Sequence, residues 1–319
     1  MRILVTGGAG FIGSTLVKRL LKDGHNVAAL DNFDRYYQAA FKRENVQAIK
    51  NKRFSFYEAD VRKFSDVKHL LQGYNFDKII HLAAQVGVRN SILYPNRYLK
   101  TNIEGTGNIL ELARFLGTKD IIFGSSSSVY GNSSRLPFKE DSPCLKPLNP
   151  YAFSKRAAEL LCSTYHDLFG LNVTVLRFFS VYGPCGRPDM SPYVFTQSIL
   201  KGRPITLYGN GEATRDFTYI DDIVEGICLS LKRTFPFEII NLGSSKPVSV
   251  LVLIRLLEET LRVKAKIRQV KSIVGEAKDT FADLGKAKKL LGYHVSTDLK
   301  NGLREFVTWF KKNRVGESS

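Results

Sequence analysis

Short apolar runs alternate with amphipathic segments along the first half of the chain. The apolar runs are of strand length and lie at residues 3–6, 27–30, 54–57, 78–81, 121–123 and 173–177. Between them, apolar residues recur at helical spacing near residues 11–22, 67–71, 96–116 and 151–169. Apolar strands that alternate with helices are typical of right-handed β-α-β units. The pattern therefore predicts an α/β fold with a doubly wound parallel sheet of the Rossmann type.

The spacing of these elements changes after about residue 180. Prolines become frequent there, and only residues 238–241 still have the pattern of a strand, while 250–261 and 299–310 have that of helices. We predict a cofactor-binding Rossmann domain at residues 1–180, to which the chain returns near 217–242. Residues 181–319 are predicted to form mainly a smaller C-terminal α/β lobe that binds the substrate at the carboxyl edge of the sheet.

The hydrophobicity, cysteine usage and net charge of the chain narrow the class of protein to which it can belong. No apolar run in the 319 residues reaches the roughly 18 that a membrane span needs, and the chain starts directly on a strand pattern without an export signal. Its four cysteines are scattered without a C-x-x-C pair, so we predict no metal site and reduced thiols in a cytoplasmic protein. The net charge of +17 comes without an RNA-recognition aromatic motif or a helix-turn-helix pattern. We interpret it as a solvated basic surface and expect no nucleic-acid partner.

The motif T-G-G-A-G-F-I-G follows the first predicted strand and opens the first helix. Gly7, Gly10 and Gly13 at three-residue spacing permit a tight turn and a close approach to a pyrophosphate at the helix N-terminus. Asp31 follows the second strand, where a carboxylate accepts hydrogen bonds from the adenosine ribose and favours NAD over NADP. The alternative is a structural glycine turn without a cofactor.

Two further motifs carry candidate chemistry. Y-A-F-S-K places Tyr151 and Lys155 one helical turn apart, so both lie on one helix face. A phenol has a pKa near 10, which a neighbouring ammonium and a positive nicotinamide ring would lower towards that of a useful base. F-G-S-S-S-S-V-Y-G places four serines after the fifth strand, where a flexible loop is the simplest interpretation.

Together these motifs resemble the extended short-chain dehydrogenase/reductase family over nearly the whole chain. The resemblance implies that Asp60, beside Val61, holds the adenine amino group and that residues 82–85 pass beneath the nicotinamide ribose. It implies a buried supporting asparagine at Asn102, and His81 is interpreted as a core histidine. The residues that the resemblance adds to the NAD site are Phe11, Ile12, Asn32, Asp60, Val61, Leu82, Ala83, Ala84, Gln85, Asn102, Tyr151 and Lys155.

The serine run gains a function from the same resemblance. In the family, a Ser or Thr at the position of Ser126 hydrogen-bonds the reacting hydroxyl, which makes Ser126, Tyr151 and Lys155 the candidate catalytic residues. The family's sugar-nucleotide dehydratases have carboxylates at the positions of Ser127 and Ser128, and a related decarboxylase has one at the latter. Since neither carboxylate is present, the resemblance leaves oxidation and re-reduction at one carbon, which is the chemistry of a 4-epimerase.

The sugar is indicated by R-F-F-S-V-Y-G-P-C-G-R-P-D-M, which closely resembles the signature of UDP-glucuronate 4-epimerases. That resemblance places Arg187 over the C5 carboxylate, which an Arg can bind through two parallel hydrogen bonds. Arg215 is expected at the diphosphate, and Glu276 stands where relatives have an Asp that binds the ribose. The residues expected to hold the carboxylate are Ser127, Ser128, Ser180 and Arg187. The alternative for Arg187 is a diphosphate contact or a salt bridge within its loop.

Two other functions stay open from the sequence. The first is a 4-epimerase of neutral UDP-sugars, either UDP-glucose or UDP-N-acetylglucosamine, which would share every catalytic residue. The second is a catalytically silent dinucleotide-binding scaffold, which the intact Ser126, Tyr151 and Lys155 argue against. By resemblance, the helical regions 96–116 and 151–169 are expected to pair with their copies in a homodimer.

Overall fold

A central parallel sheet forms one half of the molecule in the computed structural model, which describes residues 1–132, 135–271, 275 and 277–314. The strands are β1 (Arg2–Thr6), β2 (Asn26–Asp31), β3 (Phe54–Glu58), β4 (Lys78–His81), β5 (Asp120–Ser126), β6 (Asn172–Phe178), β7 (Ser180–Tyr182), β8 (Ile205–Tyr208), β9 (Thr214–Tyr219), β10 (Phe237–Leu242), β11 (Pro247–Ser249), β12 (Ile267–Val270) and β13 (Asp279–Thr280).

Helices connect these strands and cover both faces of the sheet. They are α1 (Phe11–Lys22), α2 (Ala39–Gln47), α3 (Phe64–Leu71), α4 (Val88–Leu93), α5 (Pro95–Tyr98), α6 (Gly105–Leu116), α7 (Pro150–Phe169), α8 (Ser191–Leu200), α9 (Ile220–Leu231), α10 (Val250–Leu261), α11 (Gly285–Leu291) and α12 (Leu299–Arg314). Among the described residues, none of these helices is long and apolar enough to cross a membrane.

The strand order creates a binding edge. Within the described residues, seven strands pair in the order β10-β6-β5-β4-β1-β2-β3, and every neighbouring pair is parallel. The chain moves outward from β1 to β3 and then starts again at β4 in the opposite direction. The loops after β1 and β4 therefore meet at a topological switch point, where parallel α/β sheets bind their ligands.

The predicted α/β fold with its doubly wound parallel sheet is confirmed. All six strands predicted in the first half are present, and the strand predicted at 238–241 joins the sheet edge as β10. The segment predicted as one helix at 96–116 contains a π-helical stretch, Leu99–Glu104, between α5 and α6. Helices α2, α4, α8 and α9 are not predicted from the sequence.

The C-terminal part builds a smaller lobe beside the carboxyl edge. In the described residues, β9 pairs with β7, β11 and β13 in a second sheet, while β8 pairs with β12. Helix α10 packs against α8 and α12. Helix α9 instead contacts α1 of the first half, so the two parts share a continuous apolar core.

Candidate active site

A cleft of about 700 Å³ lies between the carboxyl edge of the large sheet and the smaller lobe. Most residues singled out from the sequence meet in it, although they come from distant parts of the chain. Those that line the cleft are Gly7, Gly10, Phe11, Ile12, Gly13, Asp31, Asn32, Val61, Leu82, Ala83, Ala84, Gln85, Ser126, Ser127, Ser128, Tyr151, Lys155, Ser180, Arg187 and Arg215. Glu276 lies outside the described residues.

The glycine loop after β1 has the geometry that a dinucleotide needs. Gly7 has φ +72°, which favours glycine, and a Cβ at Gly13 would overlap the Gly7 carbonyl oxygen. Gly10 precedes α1 in extended conformation, and no side chain caps this helix. The uncapped N-terminus leaves backbone N–H groups for a phosphate, so this loop fits the pyrophosphate of NAD.

Asp31 lies at the end of β2, where the sequence predicts a ribose contact. Its carboxylate accepts hydrogen bonds from the Phe33 N–H at 2.9 Å and the Ala9 N–H at 3.2 Å. Burial raises the pKa of Asp31, while Lys42, whose Nζ is 3.9 Å away, acts to lower it. Lys42 also lines the cleft. Sequence reasoning missed this lysine, because its position on the short helix α2 carries no motif.

Asp60 lies beside the cleft and does not line it. Burial opposes its ionisation, but hydrogen bonds from Arg62 and Asn32 lower the pKa of Asp60 to about 2. Asn32 donates to its Oδ2 at 3.1 Å and itself lines the cleft. An ionised carboxylate that is paired with Arg62 therefore stands next to the predicted adenine end of the site.

Two buried side chains support the loop after β4. Asn102 does not line the cleft, because its amide is engaged by the Gln85 backbone and the Ser154 hydroxyl. His81 is buried, with its ring nitrogens 2.7 Å from Thr6 Oγ1 and 3.1 Å from Thr106 Oγ1. Burial lowers the pKa of His81 to about 3, so it is a neutral core histidine as predicted.

The candidate catalytic side chains come from β5 and from the start of α7. Asn149 caps α7 by accepting the Ala152 N–H at 2.8 Å, and Pro150 occupies the first turn. Because α7 begins at Pro150, Tyr151 and Lys155 lie one turn apart and face the end of β5. The Ser126 hydroxyl donates to Ser128 Oγ at 3.1 Å and acts on the Tyr151 phenol to lower its pKa. Lys155 Nζ donates to the Gly124 carbonyl at 2.7 Å.

Burial dominates the electrostatics of this pair. It raises the pKa of Tyr151, and the Ser126 hydroxyl and the charge of Arg187 only partly oppose it. It also lowers the pKa of Lys155 to about 8. The lowered phenol pKa expected from the sequence is therefore not reached by the protein alone.

Ser125 and Ser126, at the start of the serine run, have different partners. Ser125 is buried and donates to Glu159 Oε1 at 2.6 Å, and Glu159 forms an ion pair with Arg177 in the interior. Ser126 accepts the Ser128 N–H at 3.2 Å and so caps a short 3₁₀ turn, Ser127–Tyr130. The run is therefore an ordered strand end with a capped turn, and the flexible loop considered first is wrong.

The predicted substrate residues line the side of the cleft formed by the smaller lobe. Arg215 donates to the backbone carbonyls of Thr214 and Lys278 at 2.8 and 2.9 Å. Arg187 forms a salt bridge with Asp189 in its own loop, which is the alternative that the sequence left open. Asp189 also accepts a hydrogen bond from Tyr36 at 2.7 Å. Asp189 could have been found in G-R-P-D-M, whereas Tyr36 has no signal beyond a Tyr-Tyr pair.

This arrangement can move a proton at a hydroxyl group beside the predicted nicotinamide site. A phenol with a neighbouring serine hydroxyl and ammonium is a proton acceptor and donor for such a hydroxyl. No group of three His, Cys, Asp or Glu residues in the described ranges could hold a metal ion. Since serines occupy the positions after Ser126, that strand end supplies no carboxylate for an elimination.

Comparison with known proteins agrees with this chemistry. A model of the NAD dependent epimerase/dehydratase family matches residues 3–243. A UDP-glucuronate 4-epimerase from Thermodesulfobacterium geofontis is 43% identical over 312 residues, which are 97% of this chain and 96% of that protein. A Bacillus cereus UDP-glucuronic acid 4-epimerase, solved with UDP-glucuronic acid and NAD, is 39% identical with a TM-score of 0.93, covering 98% of this chain and 99% of that one. A Thermotoga maritima UDP-glucose 4-epimerase is 31% identical with a TM-score of 0.90, with the same coverage.

Proposed function

The chain belongs to the NAD dependent epimerase/dehydratase family, and we propose that it interconverts UDP-glucuronate and UDP-galacturonate as an NAD-dependent 4-epimerase. The membership confirms the resemblance to extended short-chain dehydrogenases/reductases. The observation that carries the substrate assignment is the Arg187 guanidinium, which lines the same cleft as Tyr151 and Lys155. Relatives with this activity share 39–43% of their residues with the chain, which supports the assignment.

The glycine loop and the ends of β2 to β4 bind the cofactor in this proposal. The N–H groups at the start of α1 receive the pyrophosphate, Asp31 and Asn32 the adenosine ribose, and Asp60 with Val61 the adenine. Residues 82–85, held by Asn102, would contact the nicotinamide ribose. NAD, when bound, would supply hydride transfer at sugar C4 and a positive ring that favours the phenolate.

Tyr151 moves the proton at the sugar 4-hydroxyl. Its phenolate accepts that proton as the C4–H bond is broken, and returns it after the sugar has presented its other face. Ser126 hydrogen-bonds the same sugar oxygen, and the Lys155 ammonium stabilises the phenolate. Arg215 holds the diphosphate, about which the 4-keto sugar turns between the two half-reactions.

The residues around C5 protect the intermediate from decarboxylation. A 4-keto glucuronate is a β-keto acid: breaking the C5–C6 bond would release CO2, pass the electron pair into the ketone as an enolate, and leave C5 to take a proton. This cleavage requires the C5–C6 bond to lie perpendicular to the ketone plane. We assign Arg187, Ser127, Ser128 and Ser180 the role of holding the carboxylate away from that alignment.

Product analysis tests the assignment. Purified protein is incubated separately with UDP-glucuronate, UDP-glucose and UDP-N-acetylglucosamine, and proton NMR identifies each sugar. We expect UDP-galacturonate from the first and no change in the others. Arg187→Ala should lower kcat/KM for UDP-glucuronate about 10- to 100-fold, the effect of a lost charged hydrogen bond, while Arg19→Ala, on the outer surface, should not. Inversion of a neutral sugar alone would refute the substrate while leaving the catalytic residues in place.

The proposal extends to assembly, domains and location. Helix α7 exposes Phe153, Leu160 and Leu168, with 51%, 53% and 68% of their surfaces accessible, which supports a homodimer through α6 and α7.

We assign residues 1–180, with the return near 217–242, to NAD and residues 181–319 mainly to the nucleotide sugar. All four cysteines are free thiols, which supports a cytoplasmic location.

A further inference from the structure

We propose that Tyr36 and Asp189 are positioning residues for the substrate carboxylate. In this inference, which rests on the proposed function, they fix one edge of the Arg187 guanidinium and leave its other edge for the sugar. Neither residue need touch the reacting atoms. Their role is to set the direction in which Arg187 offers its N–H bonds.

The ion pair between Arg187 and Asp189 is side-on. Arg187 Nε donates to Asp189 Oδ1 at 3.0 Å and Nη2 donates to Oδ2 at 2.5 Å, so two parallel hydrogen bonds hold one edge of the guanidinium. A guanidinium has five N–H bonds. One N–H of Nη1 and the second N–H of Nη2 form the end-on side, which matches a second carboxylate with the same paired geometry.

Tyr36 fixes Asp189 from the opposite half of the molecule. It lies in the loop after β2, next to the predicted ribose contacts, and its hydroxyl donates to Asp189 Oδ2 at 2.7 Å. The Arg187 guanidinium carbon is 5.5 Å from the centre of the Tyr36 ring. Gly87, at φ +88°, leaves room for this contact, because a Cβ there would overlap the Tyr36 hydroxyl.

The charges of Arg187 and Asp189 explain why the orientation of the guanidinium affects binding of the sugar carboxylate. Asp189 neutralises Arg187, so an entering uronate meets a pair without net charge and gains little from long-range attraction. Burial opposes ionisation of Asp189, but Arg187 lowers its pKa, so the carboxylate is present at neutral pH. Binding of the sugar carboxylate then depends on hydrogen bonds from a guanidinium with a fixed plane. A neutral sugar leaves the Arg187–Asp189 pair intact.

The placement of these side chains agrees with a role at the sugar. Tyr36, Arg187 and Asp189 all line the cleft, and the exposed fractions of the Arg187 and Asp189 side chains are 19% and 34%. The charge of Arg187 acts on the phenols of Tyr151 and Tyr98. The pair therefore stands close to the candidate base.

Tyr36→Phe removes one hydroxyl and no charge, which makes it the sharpest test. We expect the KM for UDP-glucuronate to rise about tenfold, as for a lost hydrogen bond to a charged group. A pentose lacking C6 should appear in the NMR spectrum, because a loosened carboxylate reaches the alignment for CO2 loss. The inhibition constant of UDP, which lacks the uronic acid and its carboxylate, should not change. Asp189→Asn, an independent variant, should release more pentose than Tyr36→Phe.

Matched controls make the same chemical changes outside the cleft. Tyr165→Phe removes a hydroxyl that donates to Glu111 at 2.6 Å. Asp23→Asn removes a carboxylate that pairs with Arg19 at 2.8 Å and is 36% exposed, close to the exposure of Asp189. Both should retain the KM and the single product of the unaltered protein.

The possible outcomes separate this inference from the proposed function. If the unaltered protein epimerises UDP-glucuronate while Tyr36→Phe and Asp189→Asn keep its KM and form no pentose, the inference alone is refuted. A UDP inhibition constant that rises in step with the KM would also refute it, because the contacts would then only hold the two halves together. If the unaltered protein does not act on UDP-glucuronate, the proposed function fails and the inference with it.

Discussion

Replacing Glu159 by alanine is expected to destabilise the framework of the active site strongly. The Glu159 side chain has no exposed surface and accepts hydrogen bonds from Ser125 at 2.6 Å and Arg156 at 3.0 Å. It also accepts two from Arg177, at 2.9 and 2.8 Å, whose side chain is 1% exposed. These contacts join α7, which carries Tyr151 one residue from its start, to β5 and β6.

The size of the expected loss in stability follows from Arg177, whose buried charge would lose its partner. Without Glu159, the remaining contacts of Arg177 are the Glu140 carbonyl at 3.5 Å and the face of the Tyr130 ring at 4.7 Å. Breaking a buried ion pair by removing one partner costs about 3–5 kcal/mol, because the other charge stays buried without compensation. We expect Glu159→Ala to lower the free energy of unfolding by this amount.

Urea unfolding followed by circular dichroism measures the loss against a matched variant. Glu58→Ala removes the same side chain from the exposed pair with Arg43, where the exposed fractions are 55% and 50%. An exposed pair contributes at most about 1 kcal/mol, so this control should change little. Equal losses in the two variants would refute the reasoning. Removing both buried charges with Glu159→Leu and Arg177→Met should recover part of the loss.

Three further predictions concern the cofactor, acid stability and assembly. Gly13→Ala forces a Cβ onto the Gly7 carbonyl oxygen. Overpacking of this kind costs about 1–3 kcal/mol, so the amount of NAD retained on purification should fall roughly tenfold or more. Gly107→Ala should retain the cofactor. The pKa of Asp60 is lowered from 3.8 to about 2, so the stability that its carboxylate contributes is complete above pH 4 and is lost as the pH falls towards 2. Asp60→Asn should therefore flatten this part of an acid unfolding curve. Leu160→Glu on the exposed face of α7 should halve the mass measured by light scattering, and a mass of one chain for the unaltered protein would contradict the homodimer.

The sequence predicts local structure well because the signals are local. Apolar runs mark the strands, and the glycine spacing marks the turn before α1. It cannot predict that Ser125 donates to Glu159 while Ser126 acts on the Tyr151 phenol. Alternation along β5 sends neighbouring side chains to opposite faces, but the partners come from α7, whose docking angle is set by tertiary packing. The contact between Tyr36 and Asp189 joins residues 153 positions apart and has no counterpart in periodicity.

The two arginine–carboxylate pairs near the site also show why burial, and not residue type, separates framework from function. Arg177 and Glu159 are 1% and 0% exposed, so neither can exchange its partner without leaving a charge in the interior. Arg187 and Asp189 are 19% and 34% exposed on the cleft wall, where we propose that the substrate carboxylate binds. Sequence motifs contain both arginines within eleven positions of each other and do not distinguish them. The difference arises from the fold, which encloses the strand β6 that carries Arg177 and leaves the loop after β7 open to the cleft.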